Sequence, residues 1–223
     1  MRKLTMMAAI GVLVLVPMTA MALNINEVRI DNVGGDTDEY FELAGMPGEL
    51  LDGLFYIVIG DGAGGSGVLE SITDLSGLAI AADGYLSVHN GATIGTCTTY
   101  DVEATMAFEN SDNVTHMLVQ GMTGVLQDDL DIDDDGVLDV IPWTGIIDSV
   151  SIIESVGTGD LYYGANEVGP DGTFVPGHAL VCGGGWVIGS FDLCLFDTPG
   201  AANTACDVGN ENKSFGEMKG QYR

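Results

Sequence analysis

The chain has 223 residues, with 33 Asp and Glu against six Lys and Arg, a formal net charge of −27. That sign argues against nucleic-acid backbones and anionic lipid surfaces as direct ligands and favours cations as partners. A hydrophobic share of 46% allows a packed core, and 33 glycines point to many tight turns rather than long helices.

Residues 1–22 read as a secretory signal. Arg2 and Lys3 form a short basic start, the apolar run 8–17 follows, and Ala20-Met21-Ala22 supplies a small-residue cleavage site before Leu23. The apolar run is too short to cross a bilayer comfortably, and no later run has spanning length, so the expected product is secreted, with no membrane span. Loss of Arg2 and Lys3 takes the net charge from −27 to −29. Between Leu23 and Asn212 the one cation is then Arg29.

Short apolar runs cut by turn residues follow. Residues 24–30, 38–44, 54–60, 67–73, 84–90, 114–120 and 145–153 read as strands, rich in β-branched and aromatic side chains. Gly-Asp-Gly at 60–62, Ala-Asp-Gly at 82–84 and Pro-Asp-Gly at 170–172 supply turn chemistry. Residues 45–53 suit either one helical turn or a loop. Many short strands without an amphipathic helical stripe predict an all-β sandwich or barrel with long loops. Residues 23–206 form the expected domain. Residues 207–223 form a C-terminal tail whose last eleven positions, KSFGEMKGQYR, carry Lys213, Lys219 and Arg223 beside Phe215, Met218 and Tyr222. A flexible terminus is the default for such a segment, and a sorting or docking tail is the alternative.

Two stretches carry a resemblance. INEVRIDNVGGDTDEYFELAG at 25–45 and ITDLSGLAIAADGYLSV at 72–88 resemble a lamin-tail domain, through Ile25–Glu27, Glu39-Tyr40-Phe41-Glu42-Leu43 and Asp74-Leu75-Ser76-Gly77. The Asp-rich loop, GPDGTFVP at 169–176 and DTPGAAN at 197–203 are similar to a secreted bacterial branch of that family. The resemblance implies an immunoglobulin-like β-sandwich and leaves function open, because fold does not imply function.

The sharpest local signal is DDLDIDDDGVLD at 128–139. Asp131, Asp133 and Asp135 alternate and Gly136 follows, the D-x-D-x-D-G spacing of a calcium loop. Alternate carboxylates in a tight turn converge on one point, and calcium takes six to eight hard oxygens. The Val137 carbonyl and Asp139 complete the expected metal set. Pro142 stands where an EF-hand has its bidentate Glu, so Asp129 or Asp148 would have to supply a further oxygen. The alternative is a solvated acidic turn.

Other constellations are weaker. Glu27, Glu39 and Glu42 lie on neighbouring strands and could meet for a second cation or acid–base work, although the polar side of a half-buried sheet is the preferred reading. Asp36 and Asp38 are expected to cap a glycine-rich turn. His89, His116 and His178 stand alone, without metal-ligand spacing, and no G-x-S-x-G elbow occurs. No catalytic residue and no enzymatic activity are expected. Four cysteines in an exported chain favour two disulfides. The short, glycine-bearing segment between them favours Cys182–Cys194, leaving Cys97–Cys206. The expected function is a secreted, non-catalytic, calcium-stabilised binding or adhesion module for a protein or polysaccharide partner. A calcium-bridged, self-associating matrix protein is the alternative, and a metal-dependent hydrolase comes third.

Overall fold

The computed structural model describes residues 22–34, 38–63, 65–90, 100–157 and 160–203, and among these it is all-β, with no helix. Residues 1–21 of the expected 1–22 leader and the whole expected tail at 207–223 lie outside the described residues. The seven expected strands all form: β1 (Asn24–Arg29), β2 (Tyr40–Ala44), β3 (Leu54–Gly62), β4 (Gly65–Asp74), β5 (Tyr85–His89), β7 (Val114–Gln120) and β8 (Gly145–Ile152). Four short strands were not expected: β6 (Val102–Glu103), β9 (Asn166–Val168), β10 (His178–Cys182) and β11 (Gly185–Ile188). Residues 45–53 are loop, held by an isolated bridge between Leu50 and Ala79.

Two mixed sheets stack face to face as a β-sandwich. One runs β11-β10-β1-β2-β5-β6 and the other β4-β3-β7-β8-β9. Every pairing is antiparallel except β5–β6 and β8–β9. Period-two alternation sorts the side chains. Val28, Phe41, Leu43, Leu86, Val88 and Ala179 of the first sheet meet Tyr56, Val58, Leu118, Val150 and Ile152 of the second in one buried cluster. The Phe41 and Tyr56 rings stack across the gap at 3.6 Å between centroids and 4° between planes. His116 shares that interior: its Nδ1 lies 2.9 Å from the Tyr56 hydroxyl, and burial pushes its pKa down to about 3.

Each sheet is also covered on its outer side. Ile57, Ile59, Met117 and Val119 alternate away from the central core and pack with Leu69, Leu130 and Trp143 in a second cluster. Leu130 and Trp143 come from the β7–β8 connection, which therefore lies over the second sheet. The outer side of the first sheet is polar and is covered by residues 190–203, whose contacts are described below. The order is strap, sheet, sheet, loop: four layers around two interiors.

Candidate cation-binding site

The Asp-rich loop is built onto the edge strand β4. Leu69 N–H donates to Asp128 O at 3.0 Å, Gln127 N–H to Leu69 O at 2.8 Å and Leu130 N–H to Gly67 O at 2.9 Å, so residues 127–130 pair with β4. Leu130 is fully buried beneath, and that anchor fixes where the following carboxylates stand. Two glycines make the approach possible. Gly67 has φ +90°, and a Cβ there would fall 2.6 Å from the Asp131 Cβ. Gly136 has φ +86°, a left-handed turn that favours glycine at the position where the calcium pattern requires one.

Ligand atoms of Asp131, Asp133 and Asp139 lie within 4.8 Å of one another. Asp131 is 1% exposed, and its carboxylate accepts from Asp135 N–H at 3.2 Å, Gly136 N–H at 2.9 Å and the Tyr163 hydroxyl at 2.8 Å. Those donors hold the turn closed around the first carboxylate. Asp139 accepts from Ile132 N–H at 2.9 Å, which ties the two ends of the loop together. Asp133 is exposed; the charge of Asp135 beside it, then Asp139 and Asp131, raises its carboxyl above the usual range. A bound cation would relieve that repulsion.

The remaining expected ligands stand differently. Asp135 caps Val137 N–H at 2.8 Å and is not one of the three that converge; Val137 is exposed beside it. Asp129 accepts from Asp131 N–H at 3.2 Å at the foot of the turn. Asp148 sits on β8, where its carboxylate accepts from Ile25 N–H at 2.9 Å and Ser149 N–H at 2.8 Å, tying the sheets together. Asp134, which the spacing did not single out, accepts from Ser66 N–H at 2.9 Å and docks the loop on the start of β4. The residues present fit a cation with three convergent carboxylates and a preformed turn, held on a buried leucine.

A second acidic group is also brought together. Ligand atoms of Asp61, Glu70 and Glu109 fall within 4.8 Å of one another. Glu70 is the extra residue of a bulge, since Val58 pairs with Ser71 and Ile59 with Leu69. Its Oε2 is buried without a hydrogen-bond partner, and its pKa rises to about 7 through burial and then the charges of Glu109, Asp61 and Asp112. No sequence signal pointed here, because Glu109 is far along the chain from the β3–β4 hairpin.

The outer side of the first sheet corrects the reading of Glu27, Glu39 and Glu42 as a solvated polar side. All three are buried, at 0%, 3% and 0% exposure. Glu27 and Glu42 are direct cross-strand partners, while Glu39 lies outside the strands and accepts from Phe108 N–H and Asn90 Nδ2, each at 2.8 Å. Residues 190–203 cover the pair. Thr198 donates to Glu27 through its N–H at 3.0 Å and its hydroxyl at 2.8 Å, and Gly200 N–H donates to Glu42. His178 Nε2 lies 2.8 Å from Glu27 Oε1. The Tyr40 hydroxyl lies 2.5 Å from Glu27 and 2.7 Å from Asp197, so its single proton serves one carboxylate at a time. Arg29 forks onto Asp197 through Nε and Nη2, both at 2.6 Å. Burial alone would raise the Asp197 carboxyl, but the charges of His178 and Arg29 and the hydrogen bonds from Arg29 and Tyr40 hold it below its ordinary range.

Glu27, His178 and Asp197 are close enough to share an ion. Their oxygens, however, already accept from Arg29, Tyr40, Thr198 and the Cys194 N–H. The group is a polar latch for the strap. His89 lies at the end of β5 with Nδ1 2.8 Å from Asn90 O. Asp38 is 3.4 Å from Asn32 Nδ2, and Asp36 lies outside the described residues. No described cysteine is a free thiol; the expected partners Cys97 and Cys206 lie outside the described residues. No protein-family model, curated protein or solved structure matches the chain.

Proposed function

We propose that the protein is a secreted, non-catalytic binding or adhesion module of the lamin-tail type, an immunoglobulin-like sandwich stabilised by calcium. The observation that carries this reading is the convergence of Asp131, Asp133 and Asp139 on a loop whose Leu130 covers the outer side of the second sheet. Calcium held there would fasten the loop, and the loop in turn closes the second interior. Partners would be a protein or a polysaccharide met outside the cell. The signal-like leader and the even number of cysteines support export. Against a metal-dependent hydrolase stands the burial of His178, Glu27 and Asp197, which are committed to one another and to the strap. A matrix protein bridged by calcium is favoured by one observation: Ile132, Val137 and Ile141 stand exposed around the acidic turn.

The test is thermal. An ion that binds only the folded state adds RT ln(1 + [L]/Kd), about 2.7 kcal/mol at about 100 times Kd, which shifts Tm by several degrees. The wild type should melt higher in millimolar calcium than in chelator at matched ionic strength. Asp131→Asn with Asp133→Asn should remove that increment while leaving the response to monovalent salt. Equal melting temperatures in the two buffers would reduce the loop to a solvated acidic turn. Sedimentation with and without calcium separates the two readings: assembly on adding the ion supports the matrix protein.

A further inference from the structure

Two features are left over from the calcium reading, and they complement each other. The 125–141 segment carries seven aspartates, and between them Val125, Leu126, Ile132, Val137 and Ile141 are all more than half exposed. Scattered exposed aliphatics need no explanation, but here five fall on one connection. The chain also has a segment of opposite character. Lys213, Lys219 and Arg223 stand beside Phe215, Met218 and Tyr222, whereas Arg29 is the only Lys or Arg among the described residues and is fully buried.

We propose that residues 213–223 of one copy dock on the 125–141 loop of a second copy, its cations on the aspartates and its Phe, Met and Tyr against the exposed aliphatics. Charge complementarity selects the occupant, since this tail offers the Lys and Arg side chains that the surface of the described residues lacks.

Geometry selects the second copy. The last described residue of the strap, Asn203, is fastened to β1 and β10 on the outer side of the first sheet, by donation to Asn26 O at 3.0 Å and Val181 O at 2.9 Å. The acidic loop lies on the outer side of the other sheet. With layers stacked about 10 Å apart, the two outer layers are roughly 30 Å apart. The way round an edge adds roughly 10–15 Å, two to three strand spacings. The nine residues 204–212 reach about 30 Å even fully extended, which covers only the straight line through the core. Docked along its whole length, with Lys213 on the aspartates, the tail therefore meets the loop of a neighbour, a heterologous contact that closes into a ring or propagates into an open chain of copies. The docking does not depend on bound calcium.

The experiment is run in chelator, so that failure of the calcium reading leaves it intact. A fluorescent peptide of residues 213–223 is titrated against the chain ended at Asn212. Saturable binding is expected, weakened at least about tenfold between 0.05 and 0.5 M salt as screening shortens to about 4 Å. Ile132→Ser with Ile141→Ser, both exposed and neither a candidate ligand, should weaken it by about tenfold or more. The intact chain should sediment as a concentration-dependent series of oligomers and the shortened chain as a monomer. Absence of peptide binding, or binding indifferent to the two serine substitutions, overturns the proposal. So does an intact chain that stays monomeric well above the peptide's Kd, which would place the tail on its own loop.

Discussion

Arg29 and Asp197 stand 168 residues apart in sequence and form a two-pronged ion pair with both side chains fully enclosed. The pair joins a central strand to the strap that covers it. Removing one partner of a buried ion pair leaves an uncompensated charge and costs about 3–5 kcal/mol. Asp197→Ala should lower the free energy of unfolding measured in urea by that amount. Arg29→Met with Asp197→Leu should cost less than Asp197→Ala alone, because the pair's desolvation disappears with it. If the double variant is no better than the single one, the neighbouring Tyr40 and Thr198 bonds carry the strap instead.

Gly67 makes a sharper test of how the acidic turn is seated. Alanine there must adopt φ +90° and bring its Cβ to 2.6 Å from the Asp131 Cβ and 2.8 Å from the Asp131 N. Gly77 has a similar φ of +83° with nothing within 4 Å. Gly77→Ala should therefore cost about 1–2 kcal/mol, the conformational penalty alone. Gly67→Ala should cost about 1–3 kcal/mol more through the clash. Circular dichroism melts give both numbers, and Gly67→Ala should also lose any calcium-dependent rise in Tm.

The buried Glu42 sets a slope with pH. Burial raises its pKa to about 8 from an ordinary 4.5; the Asn26 donor opposes the shift, the Glu27 charge adds to it and the Gly200 donor opposes it. Between those two values the folded chain holds a proton that the unfolded chain has released. Stability is therefore fullest below about pH 4.5 for this group and falls as pH rises towards 8, by at most about 1.4 kcal/mol per pH unit. Glu70, raised to about 7, adds the same sign over a narrower window. His116 has the opposite sign, but its effect is complete above its unfolded pKa of 6.5. Denaturant unfolding between pH 6.5 and 8 should show falling stability in the wild type and a flatter profile in Glu42→Gln. An unchanged slope in that variant would assign the pH dependence elsewhere.

The cysteines give a covalent prediction. The folded protein should resist alkylation until it is reduced, and peptide mapping should return two bridges with Cys182 in one and Cys194 in the other, rather than the expected Cys182–Cys194 loop. Each would contribute about 2–4 kcal/mol by restricting the unfolded chain. A map joining Cys182 directly to Cys194 would overturn that arrangement.

Local pattern carried the long strands, because runs such as LFYIVIG and VTHMLVQ are apolar enough to register without their neighbours. It missed β6 and β9, which are two and three residues long, and β10 and β11, which are flanked by glycines that read as turn. The loop's converging carboxylates were legible from spacing, since D-x-D-x-D-G encodes its own geometry. Asp134 was not, because its partner Ser66 lies in another hairpin. Glu27 and Glu42 were placed on the correct side of their strands and given the wrong solvent exposure. Alternation says which side a residue takes, and only tertiary contact says what lies over it. One clue was present: Arg29 alternates with Glu27 on β1 as the only cation between Leu23 and Asn212.

The pairing of residues 127–130 with β4 reaches beyond cation binding. A sheet ends in a row of unsatisfied amides and carbonyls that would template the strand of any passing chain. Here that rim is hemmed from within, by backbone bonds from Gln127, Leu69 and Leu130. A chain whose loop swung away would bare an apolar border along Val68 and Leu69, beside the exposed Val125 and Leu126. Such borders seed fibrous aggregates. Natural selection acting on the loop would then be guarding solubility during folding as much as any ligand.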